Sequence, residues 1–83
     1  MKYDNMKKGK MYLADYVGSF TEDVGKWIFE VTDINDKKIS CKDIVIVSGN
    51  TELDEYSYAK KDFDKYICIY YEISRSEDPE YFL

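Results

Sequence analysis

The sequence predicts a small α+β domain, built on a curved antiparallel sheet of three to five strands with one short helix in its C-terminal third. A length of 83 residues allows only one core, in which about 60–65% of the unfolded surface is buried. Aromatic residues make up 17% of the chain, and each ring buries roughly 150–250 Å². The third observation is a two-residue apolar alternation, typical of half-buried strands. A sheet this small is able to curl into an SH3-like or OB-like partial barrel.

The chain divides into a leader and one domain. Residues 1–9 are polar and lysine-rich, and we expect them to form a flexible basic leader. Residues 10–83 contain no repeat and no linker rich in proline or glycine, which predicts a single compact domain. Its first strand is predicted over residues 10–17, where the apolar run stops at Gly18.

The clearest predicted element is a β-hairpin over residues 26–47. Aromatic and β-branched side chains occupy alternate positions from Trp27 to Val31, the period expected of a strand. Residues 33–37 are rich in turn-forming Asp and Asn. The alternation resumes after the turn and changes phase near Asp43, which predicts a β-bulge in the second strand.

The last third of the chain has two interpretations. Apolar residues three to four apart predict a helix from about residue 53 to 65. Strand-forming residues then predict a strand over 66–74. The alternative is one long helix over residues 58–73. Pro79 follows Ser-Glu-Asp, a pattern typical of the first turn of a helix.

The composition argues against catalysis, metals and cofactors. Histidine is absent, so the usual acid–base group near neutral pH is missing and a cysteine nucleophile lacks its usual base. Residues 33–44 begin like a calcium loop, but Lys38 and Ile44 stand where Gly and Glu are required. We therefore expect no enzyme, no cofactor and no metal site.

The apolar runs, the N-terminal residues and the two cysteines together predict where the protein resides. No apolar run reaches the roughly 20 residues of a membrane span, and the N-terminal residues do not resemble a signal peptide. We expect a cytoplasmic protein in which Cys41 and Cys68 are small buried hydrophobic residues. A disulfide between them is the alternative.

The charge is unevenly distributed. The net charge is −5 overall, and residues 51–83 alone carry nine acidic against four basic residues. The same segment holds six of the nine tyrosines. Acidic groups that accompany tyrosine suit a basic protein surface, because carboxylates steer association and tyrosine is a frequent hot-spot residue.

The predicted function is therefore that of a non-catalytic interaction module or inhibitor. Its partner is expected to be a basic protein surface, such as that of a nucleic-acid-binding protein, and not nucleic acid or membrane. The predicted partner-binding residues are Glu52, Asp54, Glu55, Tyr56, Tyr58, Asp62, Asp64, Glu77, Asp78, Glu80 and Tyr81. Size and composition also resemble phage and mobile-element products, which suggests an anti-CRISPR-type nucleic-acid mimic.

Two other functions stay open at this point. A structural, self-associating domain such as a homodimer follows from the two-sided apolar character of residues 44–47 and 66–73, which one sheet face cannot bury. A small ligand-binding barrel lined by aromatic side chains is the third. A non-functional explanation also exists for each predicted binding residue: the acidic residues form an ordinary solvent-exposed face, and the tyrosines fill the core.

Overall fold

A computed structural model describes residues 3–16, 27–46 and 54–82. Within these ranges the chain forms five strands, one α-helix and two short 3₁₀ turns. In chain order they are a 3₁₀ turn (Tyr3–Asn5), β1 (Met11–Tyr16), β2 (Trp27–Ile34), β3 (Lys38–Ile46), β4 (Glu55–Ala59), α1 (Lys60–Tyr66), β5 (Ile67–Ile73) and a second 3₁₀ turn (Pro79–Phe82). The predicted residue Glu52 lies outside the described residues.

The five strands form one antiparallel sheet in the order β4-β3-β2-β1-β5. Helix α1 joins β4 directly to β5, so it connects the two edges of the sheet. Its seven residues rise only about 10 Å, whereas four strand spacings in a flat sheet cover about 19 Å. The sheet must therefore curl to bring its edges together. The predicted small α+β fold with a curved, open sheet is confirmed.

The central hairpin forms where the sequence predicts it. The side-chain oxygen of Asn35 accepts hydrogen bonds from the backbone N–H of Lys37 and Lys38, at 2.8 and 3.0 Å. In this Asx-type turn the side-chain oxygen accepts the hydrogen bonds that the two backbone N–H groups would otherwise donate to water. The register then shifts by one residue at Ile44, which confirms the bulge expected near Asp43.

The tyrosine-rich third of the chain is strand, helix and strand. Residues 67–73 form β5, which confirms the predicted strand and excludes the long helix over 58–73. The predicted helix over 53–65 was wrong in its first half, because Glu55–Ala59 is β4. Tyr56 and Tyr58 lie two residues apart and are half-buried, whereas their neighbours on β4 are exposed. Burial on alternate positions therefore outweighs the helical spacing in this segment.

Buried side chains lie on both faces of the sheet. The inner face, enclosed by the curl, holds the larger core, in which Phe29 and Phe63 are almost fully buried. The outer face holds a smaller cluster of Leu13, Ile28 and Ile73. Residues of the C-terminal 3₁₀ turn pack on this second cluster. The C-terminal turn thus covers part of the apolar surface on the outer face of the sheet.

The N-terminal residues belong to the core. We expected residues 1–9 to form a flexible basic leader, but Tyr3 and Met6 are buried at 3% and 5% exposure. The Lys60 ammonium also lies 2.9 Å from the Asp4 carboxylate and above the ring of Tyr3. Residues 3–9 are therefore anchored, because the side chains of Tyr3 and Met6, three positions apart, both pack into the inner core.

The two cysteines differ. Both are free thiols, with Cys41 buried on β3 and Cys68 exposed on β5. The expectation that Cys68 is buried was wrong, since it alternates outward between Ile67 and Ile69. Helices in the described ranges are all too short and too polar to cross a membrane.

Candidate functional site

A buried carboxylate lies behind the β4 edge. Asp43 is only 6% exposed, because the bulge at Ile44 places it opposite Phe29 on the inner face. Its Oδ1 accepts hydrogen bonds from Trp27 Nε1 at 2.7 Å and from the Tyr56 hydroxyl at 2.8 Å. Its Oδ2 accepts one from the backbone N–H of Asp54 at 3.1 Å. Three donors, one from β2 and two from the start of β4, satisfy this carboxylate, so its geometry is that of a structural clamp between β2, β3 and β4.

The predicted binding residues of β4, together with Asp54 just before it, separate into two groups. Asp54 and Glu55 are exposed, as the binding prediction requires. Tyr56 and Tyr58 are half-buried against the inner core, with their rings 5.3 Å apart. The Tyr56 ring also lies 5.7 Å from the Trp27 ring. The two tyrosines of β4 are thus largely committed to the fold.

The predicted acids of α1 lie in a region of mixed charge. Asp62 is half-buried and Asp64 is exposed, on either side of the buried Phe63. An open groove of about 480 Å³ runs past Asp64, and three lysines also line it. Its residues are Asp36, Lys37, Ala59, Lys60, Lys61 and Asp64. Carboxylates and ammonium groups alternate here, so α1 does not present a continuous acidic surface.

The C-terminal segment brings carboxylates and tyrosines together at the β5 edge. Asp78 Oδ2 accepts a hydrogen bond from the Ser74 N–H at 3.0 Å, and the Asp78 N–H donates to the Ser74 carbonyl at 2.8 Å. This closed turn positions the following 3₁₀ segment over the outer face. The hydroxyls of Tyr71 and Tyr81 are then 2.9 Å apart. Glu77 and Glu80 are both exposed, and Glu80 acts electrostatically on the Tyr71 hydroxyl.

Hydrogen bonds and nearby carboxylates raise the pKa values of two tyrosines of β5. The hydrogen bond to Tyr81 is the main cause that raises the pKa of Tyr71 to about 12, with further contributions from desolvation and from Asp78 and Glu80. A second tyrosine, Tyr70, donates to Asp15 Oδ2 at 2.7 Å, and this bond raises the Tyr70 pKa. Negative charge near both hydroxyls disfavours tyrosinate, so both rings stay neutral at physiological pH.

Six residues therefore form one surface, which we call the β5 patch. They are Asp15, Tyr70, Tyr71, Asp78, Glu80 and Tyr81. Three of them, Asp78, Glu80 and Tyr81, were predicted from the sequence. Asp15, Tyr70 and Tyr71 were missed, as was the buried Asp43.

The missed residues left different signals in the sequence. The phase change at Asp43 marked a bulge but not a buried carboxylate. Tyr70 and Tyr71 are adjacent, and adjacent strand residues normally point to opposite faces. The β1–β5 register shifts at this point, so that Tyr71 pairs with Leu13 while Ile69 pairs with the next residue, Ala14. This bulge lets both tyrosines be exposed, at 47% and 42%.

Within the described part of the chain, no group of three or more Cys, Asp or Glu side chains is placed to hold a metal ion. Comparison of the chain with protein-family models, curated proteins and solved structures finds no match. The geometry of its own residues is therefore the basis for proposing a function.

Proposed function

We propose that this protein is a non-catalytic interaction module that binds a basic surface of another protein through the β5 patch. The observation that supports this most is the convergence of exposed tyrosines with carboxylates at one edge of the sheet. Tyr71 and Tyr81 share a hydrogen bond, and Asp78 and Glu80 act electrostatically on the same hydroxyl.

The chemistry of the β5 patch suits arginine and lysine. Tyrosine faces attract cations by about 0.5–1 kcal/mol at exposed sites, and carboxylates accept hydrogen bonds from guanidinium. Arg75 is the nearest basic side chain in the sequence, and its guanidinium lies 4.6 Å above the ring of Phe82. With Arg75 stacked on Phe82, Glu80 and the Oδ1 atom of Asp78 stay available to an external cation, while Asp78 Oδ2 accepts the hydrogen bond from the Ser74 N–H.

The other exposed acids have a supporting part in this proposal. Asp54, Glu55 and Asp64 are exposed away from the patch, and their charge contributes to the net −5. Charges of this kind raise the association rate with a basic partner more than the affinity. The same net charge repels phosphate, so direct nucleic-acid binding is not part of the proposal.

Titration with defined basic probes tests the proposal. We expect the protein to bind protamine, an arginine-rich polypeptide, and cytochrome c, a folded lysine-rich protein, at low salt. The double variant Asp78→Asn with Glu80→Gln removes two charges of the patch. At about 0.5 kcal/mol per exposed charge pair, its Kd should rise about fivefold.

The matched control removes two charges elsewhere, by Glu55→Gln with Asp64→Asn. Its net charge equals that of the patch variant, and its Kd should change by less than about twofold. Equal losses in the two variants would show that net charge alone governs binding, and would contradict the proposal. Circular dichroism of both variants checks that the fold is intact.

A narrower form of the proposal concerns nucleic-acid mimicry. If the basic partner surface normally holds DNA or RNA, carboxylates of this chain stand where phosphates stand, as in a phage or mobile-element antagonist of host defence such as an anti-CRISPR-type inhibitor. In that case the chain displaces a labelled DNA duplex from a basic DNA-binding protein, and the patch variant does so less well than the matched control. We place this activity in the cytoplasm, where the two free cysteines stay reduced.

A self-associating domain is the second candidate, favoured by the two free sheet edges. Among the strands of the described ranges, β4 has a neighbour on one side alone, and so does β5. Edge strands readily pair with a second chain. Sedimentation equilibrium at several protein concentrations separates the candidates, since this one requires a dimer without any added partner.

A further inference from the structure

The C-terminal half of β5 is an unusually open strand edge. Along one edge, strand β5 pairs with β1, from Met11 with Ile73 to Tyr16 with Ile67. On its outer side no strand of the described ranges pairs with it. Tyr70, Tyr71 and Glu72 are three consecutive exposed residues.

This edge has little of the usual protection. Natural edge strands are commonly blocked by lysine, proline, short length or a bulge. Residues 70–73 contain neither lysine nor proline, and the bulge affects only the first of them, Tyr70, so that the strand stays extended from Tyr71 to Ile73. By contrast, β4 is five residues long and turns Tyr56 and Tyr58 inward.

The charges around the edge select a cationic occupant. Asp15, Asp78 and Glu80 lie near the hydroxyls of Tyr70 and Tyr71, and Glu72 adds a carboxylate on the opposite face, across from Tyr12. One carboxylate oxygen, Asp15 Oδ1, is out of contact with water and has no hydrogen-bond donor among the described residues. A segment docked here therefore meets the carboxylates of Asp15, Asp78 and Glu80, a setting that favours arginine or lysine side chains.

A second copy of the chain fits this edge less well. Each copy carries a net charge of −5, so pairing of two β5 edges brings like charges together. Like charges placed opposite each other across strands are destabilising. A basic segment satisfies both the backbone groups and the carboxylates.

We propose that Tyr70–Ile73 is a docking edge on which an extended arginine- or lysine-bearing segment of a partner protein adds as a sixth strand. The inference rests on the proposed function and specifies how the basic partner is held. Backbone pairing supplies the affinity, as in other strand-addition complexes. Alternate cationic side chains of the added strand lie over Tyr71 and Tyr81 on the outer face, next to Asp78 and Glu80.

The probe is a peptide of about seven residues, a common strand length, in which arginine alternates with threonine and valine. Two N-methylated forms are compared with it, one methylated at the arginines and the other at the intervening residues. Alternate backbone N–H groups of a strand point to opposite edges. One form therefore loses the donors that face β5 while the other keeps them.

We expect the two methylated peptides to differ in Kd by about tenfold or more, because one form loses its hydrogen bonds to β5 and the other keeps them. Amide chemical shifts of the labelled protein should move along residues 70–73 and stay unchanged along β4. Tyr71→Ala should weaken peptide binding, whereas Tyr66→Ala, which removes a tyrosine of similar exposure outside the patch, should not.

The outcomes separate the two proposals. If the methylated peptides bind equally well while the patch charges still matter, strand addition is wrong and the binding module stands. If neither the parent peptide nor the basic proteins bind, the proposed function itself fails. A dimer formed through β5 without peptide overturns the inference in favour of a second copy as the occupant.

Discussion

The two edge strands of the sheet each carry a pair of tyrosines, and they use them in opposite ways. On β4, Tyr56 and Tyr58 pack into the inner core, and the Tyr56 hydroxyl donates to the buried Asp43. On β5, Tyr70 and Tyr71 are exposed, and their hydroxyls bond to groups at the surface. The same residue type thus stabilises the fold at one edge and builds a surface at the other.

Spacing explains the difference. A separation of two residues places both β4 side chains on one face of the strand, where the core is. Adjacent residues face opposite sides unless a bulge intervenes, and the register shift between Leu13 and Ala14 provides one on β5. A single extra residue therefore decides whether a tyrosine-rich edge is closed or open.

The largest expected contrast between the edges is in thiol reactivity. Burial, assisted by Asp43, raises the pKa of Cys41 to about 12, and this residue lies opposite Tyr56 of β4. Cys68 on β5 is exposed. A disulfide reagent should label Cys68 at once in the native protein and Cys41 only when the fold opens.

Mass spectrometry of the labelled protein, with and without urea, measures this contrast, and Cys68→Ser identifies the fast site. Two equally fast thiols in the native state would show that Cys41 is as accessible as Cys68, and would contradict its burial on β3 beneath the β4 edge.

Removal of the buried carboxylate should have the next largest effect. Asp43→Ala leaves Trp27 Nε1, the Tyr56 hydroxyl and the Asp54 N–H without their acceptor. The free energy of unfolding should fall by about 3 kcal/mol, since an unsatisfied buried donor costs about 1–3 kcal/mol. Urea unfolding followed by Trp27 fluorescence measures it.

The exposed Asp64 provides the control, because Asp64→Ala should change the free energy of unfolding by less than about 0.5 kcal/mol. If Asp43→Ala lowers the free energy of unfolding by no more than this value, the hydrogen bonds of Asp43 do not stabilise the β4 edge.

Hydroxyl deletion compares the two edges directly. Tyr56→Phe removes a hydrogen bond to a buried charged acceptor and should lower the free energy of unfolding by about 1.5 kcal/mol. Tyr70→Phe removes a surface hydrogen bond of similar length, from an exposed hydroxyl to the half-buried Asp15, and should cost less than about 0.5 kcal/mol. Similar values for both, measured by urea unfolding, would mean that exposure does not distinguish the edges.

The smallest expected effect is a loss of stability at alkaline pH. The folded-state pKa of Tyr71 is raised from 10.0 to about 12, so folding favours its neutral form. This contribution is complete below about pH 10 and is lost as pH rises through about 12. Because Tyr71 lies at the surface, solvent screening keeps the effect small.

Urea midpoints at about pH 8 and about pH 11, compared between the parent and Tyr71→Phe, isolate this residue from the other tyrosines. A tyrosinate absorbance titration of the same pair locates its pKa. Parallel pH profiles for the two proteins would show that the Tyr71–Tyr81 hydrogen bond does not persist in solution.

The sequence by itself determined the class of the fold, because alternation and turn chemistry are local. The Trp27–Val31 alternation, the Asn35 turn and the phase change near Asp43 each act within a few residues, and each predicted its element. It also located the acidic, tyrosine-rich segment, since composition needs no structure.

Only the tertiary structure decided which faces those residues occupy. Tyr3 and Met6 enter the core because the curled sheet leaves an inner face for them. Asp43 became a clamp because donors from distant segments converge on it. The β5 patch required Asp15 and Tyr81, far apart in the chain, to meet Tyr70 and Tyr71. Such convergence is set by strand register and, on β5, by a one-residue bulge that the local sequence pattern did not reveal.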